Sequence, residues 1–150
     1  MYRTMDHDTI EVGEMGVRFL VEAADSNGSA SVFECDAPAN SRMPAPHSHD
    51  GFEETIYGLD GVSRWTIDGE TVEVGPGEAV CVLRGQVHGF DNRGSVDAKF
   101  LAIATPGVFG SAYFREIGEV LAASSGPPDL AAMGEVMRRH GLTPAAPGTT

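Results

Sequence analysis

The chain has 150 residues, with ten Lys+Arg against 22 Asp+Glu and a formal charge of −12. Apolar residues make up 41%, enough for one core and one domain. The acid excess argues against nucleic acid or an anionic membrane as partner, no run approaches the ~18 apolar residues of a spanning helix, and the opening residues Met1 to Asp8 lack the apolar segment of a signal peptide.

Residues 1–16 carry no clear periodicity and read as an N-terminal extension. Short runs rich in β-type residues follow: Val17–Val21, Ser31–Cys35, Thr55–Tyr57, Val62–Ile67, Thr71–Val74, Ala79–Leu83, Val87–Phe90 and Ala98–Ile103. Glycine-containing turns separate most of them. Asp68-Gly69, between two alternating runs, is a strong hairpin signal. About eight strands at regular spacing predict an all-β antiparallel sandwich or barrel over residues 17–105. Residues 106–142 change character. Phe114 to Ala123 has helical composition, and a second helix carries Leu130, Met133 and Met137 on one stripe, with Arg138-Arg139-His140 before Gly141. The stripe is expected to pack on the barrel or a partner subunit. The Pro/Ala/Gly/Thr-rich stretch 143–150 is expected to be disordered. Cys35 and Cys81 are too few for a disulfide scaffold, and the pair reads as two buried, reduced thiols of a cytoplasmic protein.

Five histidines are present, and His47, His49 and His88 fall in the strand-rich part. In a strand, residues two apart share a face, so His47 and His49 stand about 7 Å apart on one side. Alone this is a weak metal signal. It gains weight from Glu54, which Asp50-Gly51-Phe52 can return to the same interior, and from His88, which a later strand contributes after the Gly85 turn. Neighbouring Glu53 faces the other way and is expected in solvent. His7 and His140, in a tail and a helix end, are not expected as ligands.

These residues resemble the two motifs of the cupin superfamily. His47-x-His49, Glu54 after four intervening residues and Gly61 after six more match the first. Gly77, Gly85, His88 and Asn92 match the second. Ser41 and Leu83 stand where the motifs usually have Gly and Pro, departures that concern turns rather than ligands. The resemblance implies a double-stranded β-helix, the cupin jelly-roll barrel, in which His47, His49, Glu54 and His88 hold one divalent metal. Three imidazoles and a carboxylate suit Mn, Fe, Co, Ni, Cu or Zn rather than the all-oxygen shells of Mg and Ca.

Strand parity places Phe90 and Asn92 on the face of His88, Ile56 on that of Glu54, Trp65 with Ile67, and Phe100 with Ala98 and Ala102; of these, Ile56, Trp65, Phe90 and Phe100 are the expected substrate pocket. Asn92 is expected to stabilise a turn. A metal held by four protein ligands keeps open positions for substrate oxygen, water or O₂. The barrel with its extension around Phe114 to Glu119 is similar to small bacterial cupins of the quercetin 2,3-dioxygenase type. That similarity implies a metal-dependent dioxygenase acting on an enol- or polyphenol-like small molecule, with Glu54 as catalytic base. The alternatives are a non-oxidative cupin enzyme, an isomerase or decarboxylase, and a binding module without turnover. The resemblance to such cupins also implies a homodimer, which fits the run from Phe100 to Ile103 that is apolar on both faces.

Overall fold

A computed structural model describes residues 7–42 and 45–146. It contains β1 (Ile10–Val12), β2 (Met15–Val21), β3 (Ser31–Ala37), β4 (Ser41–Arg42), β5 (His47–His49), β6 (Glu53–Asp60), β7 (Ser63–Ile67), β8 (Glu70–Val74), β9 (Ala79–Val82), β10 (His88–Asn92), β11 (Ala98–Thr105), α1 (Ser111–Ala123), α2 (Leu130–Arg139) and β12 (Leu142–Pro144). Two antiparallel sheets face each other. The first runs β1-β2-β3-β11-β6-β9, and the second runs β12-β5-β10-β7-β8 with β4 also on β10. The strand pairs among the described residues are antiparallel, the arrangement a jelly-roll barrel requires.

Alternation builds the barrel directly. On β11, Ala98, Phe100, Ala102 and Ala104 are buried and their neighbours are half-buried or exposed. On β3, Ser31, Phe33, Cys35 and Ala37 repeat the pattern. Between β7 and β8 the Asp68-Gly69 turn has positive φ at both residues (48° and 85°), the geometry of the expected two-residue hairpin. Gly61 explains its place in the motif. Its φ is +61°, and a Cβ there would stand 2.3 Å from the Asp97 carbonyl oxygen, so only glycine fits.

The sheets extend past the expected boundaries at both ends. Residues 10–12 and 15–16 are in strands, so the first sixteen residues are not a simple extension: Ile10, Val12 and Met15 are buried. The run was too short to show a period by itself. At the other end, Leu142–Pro144 pairs with β5 instead of being disordered, anchored by fully buried Leu142. Residues 147–150 of that stretch lie outside the described residues.

The helices form where expected. α2 starts at Asp129, whose side chain accepts from the Ala132 N–H, and its last turn carries Arg138 and Arg139. α1 has Glu22 reaching across to accept from the Ser111 N–H at its start. α1 lies directly on β1: a Cβ at Gly118 would come 2.3 Å from the Glu11 carbonyl oxygen. The pair thus covers one mouth of the barrel, with Tyr113, Ile117, Met133 and Met137 buried beneath. Among the described residues no helix is long and apolar enough to cross a membrane. Cys35 is buried, but Cys81 is exposed, contrary to the expected buried pair; it lies on β9, an outer strand of the first sheet, on the side facing away from the core.

Candidate metal centre

The second sheet gathers the histidines. His47 and His49 stand on β5, and β10 places His88 directly across from His47. The nitrogens that the three offer lie within 4.8 Å of one another, and all three side chains are buried. Ring centroids are 4.8 Å apart for His47 and His88, 4.4 Å for His49 and His88, and 5.2 Å for His47 and His49.

Hydrogen bonds set which nitrogen each ring presents. His47 Nδ1 is 3.2 Å from the Ala45 carbonyl oxygen, and His88 Nδ1 is 3.0 Å from that of Gln86. A carbonyl only accepts, so each Nδ1 carries the proton and each Nε2 keeps its lone pair. His49 has no hydrogen-bond partner at either ring nitrogen although the residue is fully buried. A buried imidazole left without partners is costly, and a cation shared with the other two rings removes that cost. Burial also lowers the pKa of all three, His49 to about 3, with neighbouring imidazoles adding to the effect on His47 and His49. The rings are therefore neutral near pH 7, the state in which imidazole binds a metal. The donor set fits a divalent transition metal.

Glu54 approaches from the other sheet. It sits on β6 between Ala104 of β11 and Val82 of β9, stands apart from the three-nitrogen group, and lines the same cavity as His47 and His88. Burial pushes its carboxyl up to about 8. Glu53 faces outward, where Arg84 forms a forked pair with it at 2.6 and 2.8 Å and pulls its carboxyl down to about 2. His140 bonds to Glu116 and takes no part in the cluster.

The cavity beside the histidines is small, about 50 Å³, and its walls are mostly apolar. Trp65, Phe90 and Phe100 line it: Trp65 stacks on Phe90 at 4.7 Å, and Phe100 meets both rings edge-on. Ile56 is not among the lining residues; it is fully buried in the core next along β6 from Glu54, because parity fixes a face but not a depth. Several contributors escaped the sequence reading. Phe52 stacks on His49 at 4.2 Å, Cys35 and Tyr113 line the cavity with Glu54, and Met133 and Met137 close it from α2. The methionine stripe was visible as an apolar face, but nothing local showed what it covers. Asn92 holds the end of β10, as expected of a turn residue: it donates to the carbonyls of Ala37 and Val96 and accepts from the Gly94 N–H. Gln86 accepts from the Leu83 N–H in the turn before His88.

Comparison with known proteins agrees with this geometry. The family model described as a cupin domain matches residues 33–104. A quercetin 2,3-dioxygenase of Bacillus subtilis is 27% identical over 113 residues, 75% of this chain; the chain spans about a third of that relative's length (32%). Among solved structures, the polyketide cyclase RemF from Streptomyces resistomycificus is 30% identical, with a TM-score of 0.61 over 77% of this chain and 91% of RemF. A predicted oxalate decarboxylase from Thermotoga maritima shares the fold at 24% identity, with a TM-score of 0.61 over 67% of this chain and 91% of that one.

Proposed function

We propose, from the premise that this chain belongs to the cupin superfamily, that it is a metal-dependent enzyme acting on a small enolic, polyphenol- or polyketide-like molecule. The carrying observation is the cluster of three buried, neutral imidazoles at the edge of an aromatic cavity that also holds one carboxyl group. His47, His49 and His88 hold the ion, which when bound supplies Lewis-acid polarisation of a substrate oxygen and a route for O₂ chemistry. A bound cation's charge would draw off the proton that burial keeps on Glu54, leaving a carboxylate that accepts the proton of an enolisable C–H or O–H group or joins the ligands. Trp65 and Phe90 offer faces for a flat conjugated substrate. Tyr113 and the α2 methionines keep bulk water from the site.

Two reaction classes use this machinery. Non-oxidative proton transfer, as in ring closure or isomerisation of a polycarbonyl, is supported by the similarity to a polyketide cyclase over nearly all of that protein's length. A dioxygenase is the second reading, supported by the 113-residue match to quercetin 2,3-dioxygenase. Turnover of a panel of flavonols and aryl polyketones, by protein loaded in turn with each of the six metals, separates them. Products isomeric or dehydrated relative to substrate, formed without oxygen, support the first class. Stoichiometric O₂ uptake supports the second. Saturable binding with no turnover in any metal form overturns both and leaves a binding module. The exposed free thiol of Cys81 supports a reducing, cytoplasmic setting. Pairing of two copies through the outer face of the first sheet is supported by half-buried Val32, Leu101 and Ile103 beside exposed Tyr57.

A further inference from the structure

A base that removes a proton from an enolisable substrate leaves negative charge on a substrate oxygen, and a hydrogen-bond donor aimed at that oxygen stabilises the charge. Few side chains on the cavity wall can donate. Trp65 Nε1 already donates to the Ser63 hydroxyl at 2.9 Å, and the Nδ1 protons of His47 and His88 face backbone carbonyls. The Cys35 thiol, a weak donor, lies 3.9 Å from the Asp36 carbonyl oxygen. The remaining donor among the lining side chains is the Tyr113 hydroxyl.

Tyr113 is 3% exposed, and its hydroxyl makes no hydrogen bond among the described residues. The same holds for the carboxyl of Glu54, 5% exposed. Two buried polar groups without partners, on the walls of one apolar cavity, point to a ligand that meets both. They are near one another: burial is the main reason the phenol holds its proton more tightly than usual, and the charge of Glu54 adds to it. The ring is held in place. Glu22 fixes the start of α1, and the Tyr113 ring packs 5.1 Å from Phe109, 5.1 Å from Phe114 and edge-on to His140 at 5.6 Å. Phe109 lies 5.4 Å from His49 on its other side. The polar groups thus come from three walls: the imidazoles from the second sheet, Glu54 from the first, and the phenol from the helical cover.

We propose that Tyr113 is a further catalytic residue, whose hydroxyl donates a hydrogen bond to a second oxygen of the substrate while Glu54 removes the substrate's proton. The C–H or O–H bond breaks, the proton moves to the Glu54 carboxylate, and the electron pair spreads onto the substrate oxygens. Tyr113 keeps its own proton. The substrate class narrows to flat enols with oxygens on well-separated edges, such as a 1,3-dioxygenated ring. The proposal rests on the metal-site reading for one oxygen and adds the donor for the other. At about 50 Å³ the cavity admits such a ring as Met133 and Met137 yield, which unbranched thioether side chains do readily.

Tyr113→Phe removes the hydroxyl and keeps the ring. The probes are cyclohexane-1,3-dione, whose enolate bears two oxygens too far apart to chelate one ion, and 3-methylcyclohex-2-enone, in which a methyl group replaces one oxygen. Both are titrated by calorimetry into zinc-loaded protein. The parent should bind the dione more tightly. In Tyr113→Phe that advantage should fall at least about tenfold, the loss expected when a hydrogen bond to a charged oxygen is removed, with enone affinity and zinc content unchanged. A second readout uses the parent protein. The chain has three tyrosines, and the carbon-13 signal of Tyr113 Cζ, identified by its loss in Tyr113→Phe, should shift with the dione and stay in place with the enone. A dione advantage kept in full by Tyr113→Phe, an equal loss of affinity for both probes, or a Cζ signal indifferent to the dione would overturn the proposal. The two readings fail separately. If zinc binds and the hydroxyl makes no difference, the proposal falls and the metal site stands. If zinc does not bind, the metal-site reading falls, and the Cζ signal during dione titration of zinc-free protein still decides whether Tyr113 meets the oxygen.

Discussion

Glu54 offers a test of how the cavity handles charge, made on metal-free protein in the presence of a chelator. Burial lifts its carboxyl to about 8 in the folded chain, against an ordinary value of 4.5. Because the folded pKa is the higher one, the folded state keeps a proton that the unfolded state has released. Stability from this group is complete below pH 4.5 and is lost as pH rises through about 8. The histidines act in the opposite sense: their folded pKa values lie below 6.5, so near that pH the unfolded chain binds protons that the folded chain does not, a contribution that fades by about pH 8 and is common to the parent and a Glu54 variant. A comparison of the parent with Glu54→Gln between pH 6.5 and 8 therefore isolates the Glu54 contribution. With its folded carboxyl at about 8, the parent should lose roughly 1–2 kcal/mol relative to Glu54→Gln over this interval. Urea unfolding at pH 6.5, 7, 7.5 and 8 measures it. Glu54→Gln, which cannot ionise, should lack this loss and be the more stable protein at pH 8. Equal slopes in the two proteins would refute the argument, because the carboxyl would then be solvated or already paired.

Other outcomes follow from the same geometry. His88→Ala should lower metal affinity by more than the ~10–100-fold typical of losing an outer-shell partner, with metal per chain measured by elemental analysis after dialysis; an unchanged metal content would remove His88 from the centre. Gly118→Ala forces a methyl group to within 2.3 Å of the Glu11 carbonyl and should cost about 1–3 kcal/mol in urea unfolding, whereas Gly126→Ala, with no atom within 4 Å, should be near neutral. Sedimentation equilibrium should show a dimer, and Tyr57→Asp on the outer sheet face should produce monomers; a monomeric parent protein would contradict the pairing.

Much of this architecture is legible in the sequence because its physics is local. Alternation on β3 and β11 and the Asp68-Gly69 turn announce themselves through short-range rules. The spacing of His47, His49 and His88 carries the site for the same reason: strand period and turn placement decide which way each ring points. What was not legible depends on distant partners. β1 is three residues long, and β12 includes a proline; each exists because a neighbouring strand is there to receive it. Ile56 shares a face with Glu54, yet core atoms rather than the cavity surround it, a matter of depth that parity cannot give. Cys81 is apolar enough for a core, but it occupies the outward side of an edge strand. The separation of Glu54 from the three-ring cluster has a similar origin: the histidines belong to one sheet and the carboxylate to the other.

X-ray absorption of the metal-loaded protein addresses the central claim most directly. One ion per chain, with scattering from three imidazole rings at about 2.0–2.1 Å, is the expected spectrum, and it should lose one ring's contribution in His49→Ala. A spectrum without imidazole scattering, or an ion bound at full stoichiometry in protein lacking all three histidines, would contradict the account.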